Sequence, residues 1–334
     1  MSIDMSRLPV TIADIHQASH RVSEYARETP LIKSYYLSSV VDGDVYLKLE
    51  NMQLTGSFKF RGAYNHIAQL TDEEKKRGVI ACSAGNHAQG VALSCKLLGV
   101  EATIVMPETA PRAKVEATRG YGAKVILAGS YFDEAKQKCE EIAAESGLVF
   151  IPPYDDDKVV AGQGTIGLEI LNQLWDVDNI IVPVGGGGLI SGLAIAVKTF
   201  NPNIKVIGVQ SENIHGMTSS FEARKITEHR EGTTIADGCA VAVPGNLTFG
   251  ITTQLVDDMV LVSEDEIHSA LKDLIQRAKI VCEGSGAMPA AAIISGKIDP
   301  EILKNKKTVA LVSGGNIDLS KIEEVVDHFL HQPE

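Results

Sequence analysis

No apolar run in this 334-residue chain approaches the ~18 residues that a membrane-spanning helix requires, so no such helix is expected. Residues 1–9 lack the apolar stretch of a secretory signal. The five cysteines (Cys82, Cys95, Cys139, Cys239, Cys282) are odd in number and have neither metal-ligand nor redox spacing, which argues for reduced thiols in a cytoplasmic protein. No run of lysine and arginine forms a basic stripe, and the net charge of −12 opposes binding to nucleic acid. His16 and His20 have the spacing of a helical zinc site. Gln17 stands where the zinc-hydrolase motif needs glutamate, and no third ligand is near. No metal is expected.

What the chain does have is alternation. Strand-like runs over 45–49, 79–82, 102–106, 124–127, 179–184, 205–210 and 308–312 are interleaved with helical patterns, including 58–70, 86–98 and 132–145. That order argues for parallel sheets covered on both faces. The length suits about two domains. Residues 53–152 pack several strand–helix units between two punctuated ends. The second end, Ile151-Pro152-Pro153-Tyr154-Asp155-Asp156-Asp157, reads as a turn-rich linker.

One lysine has unusual neighbours. In Gly56-Ser57-Phe58-Lys59-Phe60-Arg61-Gly62 it lies between two aromatics at the start of a helical run. Apolar rings around an ammonium strip its hydration and lower its pKa, and a neutral amine can attack a carbonyl. The plain alternative is a lysine that reaches water past its neighbours.

Three turns follow strands, where open α/β sheets bind ligands. Gly185-Gly186-Gly187-Gly188-Leu189 precedes a helical run, so successive backbone N–H groups can converge on an anion such as phosphate. A dinucleotide reading, with Glu212 as the ribose acid, fails on spacing because Ile190 and Ser191 occupy the candidate third-glycine positions. No Gly-Lys-Ser/Thr triphosphate loop is present. Ser83-Ala84-Gly85-Asn86-His87 gathers donors at a helix start, suited to a carboxylate; the plain alternative for Asn86 is an N-cap. Ser313, before Gly314-Gly315-Asn316, projects a hydroxyl from a strand end.

A lysine of this kind, a phosphate loop and a strand-end serine are the parts of a pyridoxal phosphate site. On the motifs Gly56–Gly62, Ser83–His87, Gly185–Leu189 and Ser313–Asp318, the chain resembles the serine/threonine dehydratases of the fold-type II pyridoxal phosphate enzymes, and among them the catabolic members. The resemblance covers about residues 8–319. It implies an α/β, tryptophan synthase β-like fold with two open twisted, mostly parallel sheets flanked by helices. A large domain would comprise 1–52 and 153–334, and a small mobile domain 53–152. It implies pyridoxal 5′-phosphate as cofactor, with Lys59 as Schiff-base lysine and proton shuttle. Phe58 would pack on the cofactor ring, and Asn86 would bond its 3-hydroxyl. Gly185, Gly186, Gly187, Gly188 and Leu189 would hold the phosphate, and Ser313 would face the pyridine nitrogen. Ser83, Ala84, Gly85, Asn86 and His87 would bind the substrate carboxylate. A neutral serine does not keep the pyridine protonated as a carboxylate would, which favours elimination over transamination.

The implied reaction deaminates L-threonine to 2-oxobutanoate, and L-serine to pyruvate. Serine racemases share most of these motifs. They carry serine where this chain has Ala84, and acidic metal ligands where it has Gln210 and Gly216. Biosynthetic threonine deaminases add a C-terminal regulatory domain, which is not expected here. Catabolic members respond to AMP or a related nucleotide at a subunit interface, which implies a homodimer or homotetramer. A non-catalytic nucleotide-binding protein on the same sheet is the alternative of a different class.

Overall fold

The computed structural model describes residue 5 and residues 8–330. The readings that touch the extreme ends of the chain, including residues 1–4 and 331–334, lie outside the described residues.

Among the described residues, ten strands form two sheets. They are β1 (Leu31–Lys33), β2 (Asp44–Leu49), β3 (Val79–Cys82), β4 (Ala102–Met106), β5 (Lys124–Leu127), β6 (Val149–Phe150), β7 (Asn179–Pro183), β8 (Lys205–Ser211), β9 (Asp258–Val262) and β10 (Lys307–Val312). The larger sheet has the order β1-β2-β10-β7-β8-β9, and the smaller β5-β4-β3-β6. Every pairing is parallel except that of β1 with β2. The α/β architecture follows from strand composition. β7 is buried along its whole length, as a strand covered on both faces must be. Its alternate residues serve opposite cores: Ile180 and Val182 pack on one face with Ile190 and Leu193, whereas Ile181 packs on the other with Ala287 and Ile293.

All four strands of the smaller sheet lie between residues 79 and 150, and its core is a separate cluster around Ala81, Val91 and Ile104. Among the described residues no helix is long and apolar enough to cross a membrane. The five cysteines are free. His16 and His20 are exposed on the Ile12–Val22 helix, and no cluster of three metal-ligating side chains occurs among the described residues.

Behind the Lys59–Ala68 helix lies a buried ion network. Arg61 donates to Glu50 at 2.8 Å from both Nε and an Nη, and to Glu169 at 2.6 and 2.9 Å. Lys48, wholly buried, donates to Glu169, to Gln173 and to the Thr29 carbonyl. Burial pushes Arg61 down, but Glu50 and Glu169 more than offset that, and its pKa ends above the ordinary arginine value. The network ties the lysine-bearing helix to β2 and to the long Asp157–Gln173 helix.

Candidate active site

Lys59 is the first residue of its helix. Its Nζ donates to the Pro153 carbonyl at 2.8 Å and lies 5.2 Å from the centre of the Phe58 ring. Loss of hydration drives its pKa down to about 8, and Cys239 and Glu283 only partly counter this. The sequence placed two aromatic walls around this amine, and the structure supplies one. Phe60 is turned into a cluster with Val22 and Tyr64, because successive helical residues point about 100° apart. The helix carrying the Ser83 turn approaches closely enough that a side chain on Gly90 would press on the Lys59 backbone.

The glycine turn leaves β7 and enters the Gly188–Phe200 helix. Gly187 has φ +95°, a conformation that side chains resist, and this helix has no side-chain cap. Its first N–H groups are therefore available to an anion, and the helix dipole favours one. The Gly186 carbonyl accepts from Thr248 Oγ1 at 2.6 Å.

Asn86 opens the Asn86–Leu98 helix but is not its N-cap. Gly85 holds that position, and no side chain caps the helix. The Asn86 amide is used elsewhere: Nδ2 donates to Glu283 at 2.7 Å, and Oδ1 accepts from Asn316 at 2.7 Å. Gly85 N–H donates to Ser83 Oγ at 3.1 Å, and a methyl group on Gly85 would meet nothing within 4 Å, so the turn borders open space. His87 is buried, with Nε2 2.9 Å from the Ile151 carbonyl. A carbonyl only accepts, so Nε2 carries the proton. Burial and then the charge of Lys59 push its pKa to about 3, which keeps the ring neutral. The turn thus offers a carboxylate the N–H groups of a helix start rather than a charged imidazole.

Ser313 follows β10, and its carbonyl accepts from the Phe58 N–H at 3.1 Å. A further bridge pairs Ser57 with Gly314. The structure therefore gathers the lysine, the strand-end serine and the Asn86 turn into one place, with the glycine turn joined to them through Tyr154 and Cys239.

Several residues of this place escaped sequence reasoning. Glu283 is buried beside Asn86. Burial first and Asp237 second raise its pKa to about 8, so it is largely a neutral acid at neutral pH. Cys239 backs Gly185, and burial pushes its thiol up to about 12. Pro153 and Tyr154 belong to the stretch read as a linker. None carries a local motif; only the Pro-Pro pair marked the last two.

The fit to pyridoxal phosphate rests on this donor set. An amine near neutrality serves the aldehyde, and an uncapped helix start serves the phosphate. The hydroxyl of Ser57 is buried without a partner among the described residues, as a group awaiting a polar ligand would be.

Comparison with known proteins agrees. The family model described as "Pyridoxal-phosphate dependent enzyme" matches residues 22–314. The chain is 61% identical over 323 residues to the L-threonine dehydratase catabolic TdcB of Staphylococcus aureus, covering 96% of this chain and 93% of that one. Among solved structures, it is similar to a processed threonine deaminase isoform 2 of Solanum lycopersicum, with 40% identity, TM-score 0.88, and coverage of 99% and 94%. Maize serine racemase is similar at 36% identity, TM-score 0.90, and coverage of 96% and 98%. The amine, the anion-ready glycine turn and these likenesses converge: the chain belongs to the pyridoxal-phosphate dependent enzymes, in their fold-type II serine/threonine dehydratase group.

Proposed function

We propose that this protein is a threonine ammonia-lyase, converting L-threonine to 2-oxobutanoate and ammonia, with L-serine to pyruvate and ammonia as a side activity. The observation that carries the reading is the amine of Lys59, half-buried without a carboxylate partner and lowered to about 8, beside a glycine-lined helix start. Lys59 is the covalent anchor. Gly185, Gly186, Gly187, Gly188 and Leu189 bind the cofactor phosphate through backbone N–H groups, Phe58 packs on the ring, and Ser313 faces the pyridine nitrogen. Asn86 bonds the 3-hydroxyl, and Ser83, Ala84, Gly85, Asn86 and His87 hold the substrate carboxylate.

Bound cofactor supplies a sink for the electron pair left when Cα loses its proton. The chain's residues do the rest. Lys59 Nζ, its pKa lowered to about 8, is half neutral near that pH and takes the α-proton in its neutral form. The neutral His87 ring stays out of proton traffic, since its one N–H is committed to Ile151. The β-hydroxyl leaves as water, and water is taken up again as ammonia is released, so threonine yields 2-oxobutanoate and ammonia.

Racemisation is the competing outcome on this fold, and Ala84 weighs against it because a methyl group has no proton to return to the opposite face of Cα. The same reading makes 53–152 a small domain that moves against the rest, supported by its separate sheet and by the Lys114–Asp237 ion pair that links it to the larger body. It also makes the protein a cytoplasmic homodimer or homotetramer that takes AMP or a related nucleotide between subunits, supported by the resemblance to the catabolic members. Sedimentation with and without AMP tests that extension.

The central test is direct. The purified protein should show a visible band near ~410–420 nm from its bound cofactor and release 2-oxobutanoate from L-threonine. A protein without the band and without 2-oxo acid formation would leave the non-catalytic, nucleotide-binding reading in its place.

A further inference from the structure

The stretch Pro152-Pro153-Tyr154-Asp155-Asp156 is fixed at every residue from 153 onward, which is not how a linker behaves. The Pro153 carbonyl accepts from Lys59 Nζ at 2.8 Å. The Asp155 carboxylate accepts from the N–H groups of Asn246 and Thr248 at 3.0 and 3.1 Å, at the start of the Asn246–Leu255 helix. Asp156 caps the Asp157–Gln173 helix and lies 3.0 Å from His66 Nδ1. Two adjacent prolines with fixed φ stiffen the entry to this strap.

Tyr154 is the residue between these anchors, and it sits on the glycine turn. A methyl group on Gly186 would land inside the tyrosine ring, and one on Gly188 would lie 3.1 Å from Tyr154 Cα and Cβ. On its other side Gly186 is held by Thr248, whose hydroxyl donates to the Gly186 carbonyl and whose N–H donates to Asp155. The contacts form a closed circuit from Tyr154 to Gly186, Thr248, Asp155 and back to Tyr154.

We propose that Tyr154 is a positioning residue of this site: its ring, seated on Gly186, sets the shape of the phosphate-binding turn and holds the Pro153 carbonyl against the Lys59 amine. Glycine at 186 is then demanded by the tyrosine ring as well as by any anion. Packing explains the coupling, since a face-on ring leaves no room for Cβ. The proposal rests on the reading of residues 185–189 as the phosphate site.

A double-mutant cycle on cofactor affinity tests it. Wild type, Tyr154→Ala, Gly186→Ala and the double variant are stripped of cofactor, checked for a cooperative thermal transition, and titrated with pyridoxal 5′-phosphate. Tyr154→Ala should weaken binding about tenfold, whereas Tyr154→Phe, which keeps the ring, should stay within about threefold. Gly186→Ala should cost about tenfold more in the wild-type background than beside Tyr154→Ala, because removing the ring frees the space. Equal costs in the two backgrounds, or a Tyr154→Phe loss as large as that of Tyr154→Ala, would overturn the proposal. Should Tyr154→Ala not fold, Tyr154→Leu enters the cycle under the same criteria. A wild type that binds no pyridoxal 5′-phosphate would instead remove the phosphate reading itself.

Discussion

Two cationic regions, one buried and one half-buried, lie on either side of one short helix, and they are built to opposite ends. On one side, Arg61 and Lys48 are locked to Glu50 and Glu169 with bonds of 2.6–2.9 Å. On the other, Lys59 meets only a carbonyl oxygen. Burial opposes charge in both places. It lowers Lys48 as well, but there Glu169 opposes the fall, whereas no carboxylate bonds Lys59. The difference teaches that burial alone does not make a reactive amine. Withholding the partner does, and the neighbouring network keeps the helix in place while the partner is withheld.

The sharpest way to break this comparison is at Lys59 itself. Lys59→Ala should abolish the visible band and lower turnover by more than about a thousandfold, the scale of losing a general base together with a covalent anchor. Borohydride reduction of the wild type followed by peptide mapping should place the cofactor on Lys59; a label on Lys48 would invert the contrast.

Next in size is stability. Arg61→Met leaves Glu50 buried without its counter-charge, with only the Thr29 hydroxyl still donating to it, and should cost the apoprotein about 3–5 kcal/mol in denaturant unfolding. Lys59→Met should do the reverse and raise apoprotein stability, because it removes an amine that pays for burial without a counter-charge. Similar losses in both variants would show that the two sites are not energetically distinct.

The pH dependence is a smaller effect. Lys59 titrates near 8 when folded and near 10.5 when unfolded, so between these values the unfolded chain binds more protons. Its penalty is full below pH 8, and the gain from Lys59→Met should fade as pH rises through that window. Glu283 runs the other way. Its folded pKa of about 8 lies above the ordinary 4.5, so its contribution is most favourable in acid and declines as pH climbs toward 8. Glu283→Gln should flatten that decline between pH 5 and 8 in thermal unfolding of the apoprotein; an unchanged slope would mean that Glu283 is ionised in the folded chain.

The smallest expected effect is in product stereochemistry. If the Ser83–His87 turn holds the substrate as proposed, Ala84→Ser adds a hydroxyl proton donor at the site and should raise D-serine from a trace to a measurable minor product by chiral chromatography. Abundant D-serine from the wild type would transfer the protein to the racemases.

Sequence periodicity located the strands that are buried and regular, such as β3, β4, β7 and β10, to within a residue or so. It passed over β1, β6 and β9. The first two are only three and two residues long, and β9 (Asp-Met-Val-Leu-Val) opens on a charged residue at the sheet edge. Lys59, the glycine turn and the Ser83 turn were legible because a local motif carries each. Glu283, Cys239 and Tyr154 were not, because their roles arise from what lies across the fold: Asn86 is 197 residues from Glu283 in the chain, and Gly186 meets Tyr154 only through tertiary packing. The second aromatic wall failed for a local reason, the angular step of the helix.

β10, the last strand among the described residues, lies inside the larger sheet, between β2 and β7. Until residues 307–312 have been synthesised, β1 and β2 have no neighbour through which to join β7, β8 and β9. The Phe58–Ser313 bond and the Ser57–Gly314 bridge wait on the same event. During translation the smaller sheet, made of residues close in sequence, is free to fold early, while the site is completed by later, non-local pairing. A nascent chain released before residue 307 would therefore present a formed small sheet and a lysine with no competent site around it, so cofactor capture reports that synthesis has passed residue 314.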